Sequence, residues 1–140
     1  MVDIDITYAG DLHCSAIHRP SQTELATDAP VDNQGRGETF SPTDLIATGL
    51  GTCMATTMGI LARRKGYTLE GLSIHVKKVM TPAPPRRIAR LEVELSVPAS
   101  TGQALSSEAR AELEQTAHTC PVRISLLEGI EVPVRFSWGD

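Results

Sequence analysis

Cys14, Cys53 and Cys120 are the side chains best able to do chemistry in this chain of 140 residues. No CxxC pair occurs, and no two of the three lie at zinc-finger spacing. Three scattered cysteines are also too few for a secreted disulfide scaffold. In a reducing compartment they are either inert core residues or reactive thiols, and their neighbours decide which. Cys53 lies in Thr48-Gly49-Leu50-Gly51-Thr52-Cys53-Met54, within a long apolar stretch. It is there as a small core hydrophobe or as a working thiol. Gly49, Gly51 and Gly59 surround it. A glycine inside a helix costs roughly 1 kcal/mol against alanine, so the three predict close approach of another element. Cys120 lies in Ala117-His118-Thr119-Cys120-Pro121-Val122. If Pro121 opens a helix, the sulfur sits at its positive end, which lowers a thiol pKa from about 8.5 and favours thiolate. The plainer alternative is that Cys120 completes an apolar stripe and caps that helix. Cys14, on an alternating strand, is expected to be structural.

His13, His18, His75 and His118 form no ligand pair on a common helix face. His13, Cys14 and His18 come nearest to a metal trio, but a strand would scatter them over both faces. No metal is expected. The chain has no serine nucleophile elbow, phosphate loop or dinucleotide fingerprint.

The elements that must position these thiols follow from hydropathy. Val2, Ile4, Ile6 and Tyr8 alternate with Asp3, Asp5 and Thr7, which predicts a half-buried strand. Ala9-Gly10-Asp11 predicts a turn, Leu12, Cys14 and Ala16 a returning strand, and Thr23–Thr27 a third. Asp28 to Phe40 is a long polar loop of the kind that is often functional. Ser41-Pro42-Thr43-Asp44 then combines an N-cap serine, a first-turn proline and an acid close to a capping box. The helix it opens is expected to run to Lys65, with Gly66 as its stop. Leu45, Ile46, Leu50, Met54, Met58, Ile60 and Leu61 surround it, and no charge falls between Asp44 and Arg63. Such a helix is buried on most sides. One small domain with few other helices offers little to cover it, so an intertwined homodimer is the expected architecture.

Leu72–Met80 and Leu91–Val97 alternate as an antiparallel pair joined through Pro82, Pro84 and Pro85. A second helix begins near Ser106 or Ser107, with Ala109, Leu113, Thr116, Ala117 and Cys120 as its inner stripe. Pro121 starts a short helix ending at Gly129, and Ile130 to Trp138 forms a final strand. Strands, long helix, strands, helices and strand in that order predict an α+β fold in a single domain, 1–140.

Thirteen basic and 17 acidic residues leave a net charge of −4, with a pI near 5.5. Neither nucleic acid nor an anionic membrane is expected as a partner. No apolar run is expected to reach the roughly 20 residues that span a bilayer, and the N-terminus lacks a basic signal-peptide region. The cytoplasm is the expected location.

Phe40-Ser41-Pro42-Thr43-Asp44-Leu45-Ile46-Ala47, followed by Gly49-Leu50-Gly51-Thr52-Cys53, resembles the OsmC/Ohr family of osmotically inducible and organic hydroperoxide resistance proteins. His118-Thr119-Cys120-Pro121-Val122, 67 residues beyond Cys53, resembles the family's second cysteine. The resemblance implies antiparallel sheets around a long buried central helix, in an intertwined homodimer. It also implies a thiol peroxidase of organic hydroperoxides, with Cys53 oxidised to sulfenic acid. Cys120 would then resolve it as a disulfide opened by a dithiol reductant, lipoyl-type or a small thiol. No metal or organic cofactor is needed. In the best-known branch a glutamate follows the helix-opening proline and holds an activating arginine. Here that position is Thr43, with Asp44 next to it. Arg36, flanked by Gly35 and Gly37, is the expected stand-in for the arginine, ahead of Arg19. Leu50, Met54 and Met58 are expected to line a substrate pocket at the dimer seam. The alternatives are a non-catalytic stress protein binding a hydrophobic ligand at that seam, and a thiol redox sensor.

Overall fold

Strands β1 (Ile4–Gly10), β2 (His13–His18) and β3 (Thr23–Asp28) pair antiparallel in that order. The computed structural model describes residues 1–139. Its chain divides into two units, Met1–Ile46 and Ala47–Asp140, and these strands are the sheet of the first. Gly10, Asp11 and Leu12 all take positive φ, which makes the tight turn between β1 and β2. Register places Ile4, Ile6 and Tyr8 beside His18, Ala16 and Cys14, and these beside Thr23, Leu25 and Thr27. The expected half-burial of β1 is overturned. Ile4, Ile6 and Tyr8 are 57%, 68% and 63% exposed.

The loop after β3 folds back on its own start. The Ala29 amide donates to Leu12 O, the Asp28 amide to Phe40 O, and the Gly37 amide to Ala29 O. A short 3-10 turn spans Val31–Asn33. Gly35 passes so close to Ala29 that a Cβ there would overlap the Ala29 carbonyl, and only glycine fits.

Helix α1 (Pro42–Lys65) has the expected bounds and, at 1.5 Å per residue, is about 36 Å long. Its cap is reciprocal: the Ser41 amide donates to Asp44 Oδ2 (2.8 Å), and the Asp44 amide donates to Ser41 Oγ (3.1 Å). Burial of α1 is one-sided rather than all round. Ala47, Leu50, Met54, Met58 and Ala62, spaced three and four apart, face the core of the second unit. Ile46 and Ile60 remain 44% and 50% exposed. Thr52 and Thr56 on the outer side donate to the carbonyls of Thr48 and Thr52, so their hydroxyls are satisfied without a covering element. By length and composition α1 could cross a membrane: an 18-residue window has mean hydropathy 1.6. This corrects the expectation that no stretch is apolar enough. Its apolar stripe is instead in use as a protein core.

That core lies between α1, a second sheet and a helix. β4 (Ser73–Met80) pairs antiparallel with β5 (Ile88–Ser96), and β6 (Val134–Ser137) pairs parallel with β5 on its other side. Gly51 lets α1 approach β4 closely, since a Cβ there would meet Val76 at 2.9 Å and Ile74 at 3.3 Å. Gly49 and Gly59 face open space, so only one of the three glycines answers to close packing within the chain. α2 (Ala99–Gly102) is a single turn that the periodicity does not foretell. α3 (Ser107–His118) is capped by Ser106 Oγ, which accepts from the Ala109 amide, and it buries Ala109, Leu113 and Ala117. α4 (Pro121–Ser125) stops four residues short of Gly129. The last strand also starts late. Pro133 offers no N–H, and Glu131 makes only an isolated bridge to Arg90 before β6 begins.

Candidate functional site

Cys53 occupies the middle of α1, half-buried and packed against the core. Its place follows from helical period: the Leu50–Met54–Met58 stripe is inside, Thr52 and Thr56 are outside, and Cys53 lies at the margin. Leu50, Met54 and Met58 are 0% exposed in the single chain. They belong to the core cluster of this chain. The packing of α1 on the β4–β5 sheet and on α3 seals them.

Cys120 reaches the same region from the other side of the core. Ala109, Leu113 and Ala117 form the inner stripe of α3, and Cys120 continues it, completely buried. Thr119 closes α3 and Pro121 opens α4, so Cys120 is the N-cap of α4. Its Sγ accepts from the Arg123 amide at 3.3 Å. Cys53 lies close enough to Cys120 to act on the ionisation of its thiol.

The electrostatics of this pair reverse one expectation. Burial pushes the Cys120 thiol above its ordinary value. The amides of Arg123 and Val122 pull it down, but Cys53 pushes it further up, and the net direction is upward. The positive end of a five-residue helix does not outweigh desolvation beside a second sulfur. Cys120 is therefore harder to ionise than its place at a helix start predicts.

In the N-terminal unit, Cys14 stands opposite Tyr8 and Thr27 in the sheet. Arg19 forms a two-pronged pair with Asp5, at 2.6 and 2.9 Å. Arg36 lies in the folded-back loop, where its charge helps to hold Asp28 ionised. Asp44 is the acid of the helix cap, and the Thr43 hydroxyl lies 3.1 Å from Ser41 Oγ.

One constellation went unread in the sequence. Asp28, 2% exposed, takes His13 Nδ1 on one carboxylate oxygen at 2.6 Å and the Glu38 amide on the other at 3.1 Å. The His13 hydrogen bond holds Asp28 below the usual carboxylate range against the opposing effect of burial, with the Glu38 amide and the charges of His13 and Arg36 assisting. Its only sequence signal is a register that sets His13 opposite Asp28, and register is not fixed until both strands are placed. His18 Nδ1 meets Ser21 Oγ, so His13 and His18 point to different partners.

Residues 35–135 match the OsmC-like protein family. No curated protein sequence matches the chain. A protein of Psychrobacter arcticus 273-4, provisionally described as an osmotic stress induced and detoxification response protein, is 43% identical. It covers 97% of this chain and 96% of its own, with a TM-score of 0.88. The organic hydroperoxide resistance protein OsmC of Legionella pneumophila is 16% identical over 98% of this chain and 96% of its own, with a TM-score of 0.76. An OsmC-like protein of Mycoplasma pneumoniae is 18% identical over the same shares, with a TM-score of 0.75. The two remoter structures share the fold. With its matched span and its 43% identical relative, this chain belongs to the OsmC-like family.

Proposed function

We propose that the protein is a thiol peroxidase that reduces organic hydroperoxides to alcohols. The observation that carries this reading is the nearness of two free thiols, Cys53 half-buried in the middle of α1 and Cys120 completely buried, close enough for one to act on the ionisation of the other. A Cys53 thiolate attacks the distal peroxide oxygen. The O–O bond breaks, the alkoxide takes a proton to leave as alcohol, and Cys53 becomes a sulfenic acid. Cys120 gives up its proton and attacks the Cys53 sulfur. An S–S bond forms as hydroxide leaves, protonated to water. A dithiol, lipoyl-type or a small thiol, restores both thiols by exchange. Nothing in this sequence of steps needs a metal or an organic cofactor. The membership of hydroperoxide resistance proteins among the structural relatives supports the substrate class.

Arg36 is the residue we assign to favour the Cys53 thiolate, with Asp44 as the acid at the start of the same helix. We also propose that the protein works as a homodimer, in the cytoplasm. The exposed Ile4–Ile6–Tyr8 face and the exposed Ile46 and Ile60 of α1 are apolar surface of the kind that a second copy buries. The test is steady consumption of cumene hydroperoxide with dihydrolipoamide or dithiothreitol. Wild type turns over, Cys53→Ser does not, and Cys120→Ser reacts without forming the intramolecular disulfide. Equal rates in wild type and Cys53→Ser would leave the ligand-binding reading. Oxidation of Cys53 without recycling by dithiols would leave the redox sensor.

A further inference from the structure

The two sulfurs differ in access, and this bears on how the oxidised protein is reduced. Cys120 is completely buried in the core cluster, and its Sγ accepts from the Arg123 amide of α4. Cys53, at the margin of the buried stripe of α1, keeps part of its surface open. Thiol–disulfide exchange depends on which sulfur an incoming thiolate can reach, and the attacking sulfur comes in along the line of the bond it breaks. Of the two residues, only Cys53 has surface open to an incoming thiolate.

Building on the peroxidase reading, we infer that the reductant attacks Cys53 Sγ, so that the mixed disulfide forms on Cys53 and Cys120 is the leaving group. A thiolate of the dithiol bonds to Cys53 Sγ, the Cys53–Cys120 bond breaks, and its electron pair goes to Cys120 Sγ. The Val122 and Arg123 amides already donate to that sulfur in the reduced protein. They receive it again as it leaves, and it then takes a proton. The second thiol of the reductant attacks the reductant's own sulfur in the mixed disulfide, which releases Cys53 as thiolate and the reductant as a cyclic disulfide. Cys53 thus meets both substrates, and Cys120 meets neither.

The experiment begins from a disulfide made without peroxide. Protein carrying Cys14→Ser is oxidised with diamide, and the bond is verified by the loss of two hydrogens in mass. It is then mixed with excess glutathione, acid-quenched at early times and mapped by peptide mass spectrometry. Glutathione is expected on Cys53 in excess over Cys120 by about tenfold or more. Adduct on Cys120, or equal shares, overturns the inference and leaves the peroxidase reading intact. Failure of diamide to join Cys53 to Cys120 overturns both. A second measurement does not depend on the lifetime of the adduct. Substoichiometric maleimide on the reduced Cys14→Ser protein is expected to label Cys53, and preferential labelling of Cys120 would equally overturn the inference.

Discussion

The two three-stranded sheets of this chain come from similar alternating sequences and have opposite surroundings. On β5, Leu91, Val93 and Leu95 are at most 1% exposed, covered by the apolar stripes of α1 and α3. On β1, Ile4, Ile6 and Tyr8 alternate just as regularly and are more than half exposed. Alternation selects a strand and names its apolar face, but what covers that face is a separate matter. The C-terminal unit carries its own cover, and with it the thiol pair. The N-terminal unit offers an apolar face and binds its polar groups into a folded-back loop around Asp28.

The largest expected effect tests this contrast directly. Leu113→Ala, or Leu50→Ala, should destabilise the protein by about 2–5 kcal/mol in denaturant titrations. Ile6→Ala, measured where the protein is monomeric, should cost no more than about 0.5 kcal/mol, yet it should shift sedimentation towards the monomer. Comparable losses for Ile6→Ala and Leu113→Ala in the monomer would break the comparison.

The helix shared by both units comes next. Ser41→Ala should cost about 0.5–2 kcal/mol through loss of the cap. Because the Ser41 and Asp44 bonds are reciprocal, the Ser41→Ala/Asp44→Ala double variant should cost less than the sum of the two singles. A smaller effect distinguishes the glycines of α1. Gly49→Ala and Gly59→Ala meet no atom within 4 Å and should stabilise the monomeric chain by roughly 0.5–1 kcal/mol in melting experiments. Gly51→Ala brings a Cβ to 2.9 Å from Val76 and should lose that gain.

The smallest effects are in pH dependence, and they have opposite signs in the two units. Asp28 is held below the usual carboxylate range. Its contribution to stability is therefore present above the ordinary value and is lost as pH falls through the lowered one. Asp28→Asn should flatten the acid limb of the stability profile, and His13→Ala should move that limb to higher pH. Cys120 is pushed upward by burial and by Cys53. Its contribution is present below the ordinary thiol value and is lost as pH rises through the raised one, so Cys120→Ala should flatten the alkaline limb. Denaturation at a series of pH values reads both limbs.

The sequence by itself determined the elements and their local chemistry. Ser41, Pro42 and Asp44 specify the start of α1, Lys65 and Gly66 its end, and Ser106 the start of α3, because caps act through bonds within one turn. The two motifs that carry the thiols were equally plain. Tertiary structure decided what depends on distance through space. It brought together sulfurs 67 residues apart, sealed Leu50, Met54 and Met58 inside, and left β1 exposed. It also reversed the expected direction for Cys120. Position at a helix start can be read from Cys120-Pro121, whereas desolvation depends on everything packed around the sulfur, and here it outweighs the helix start.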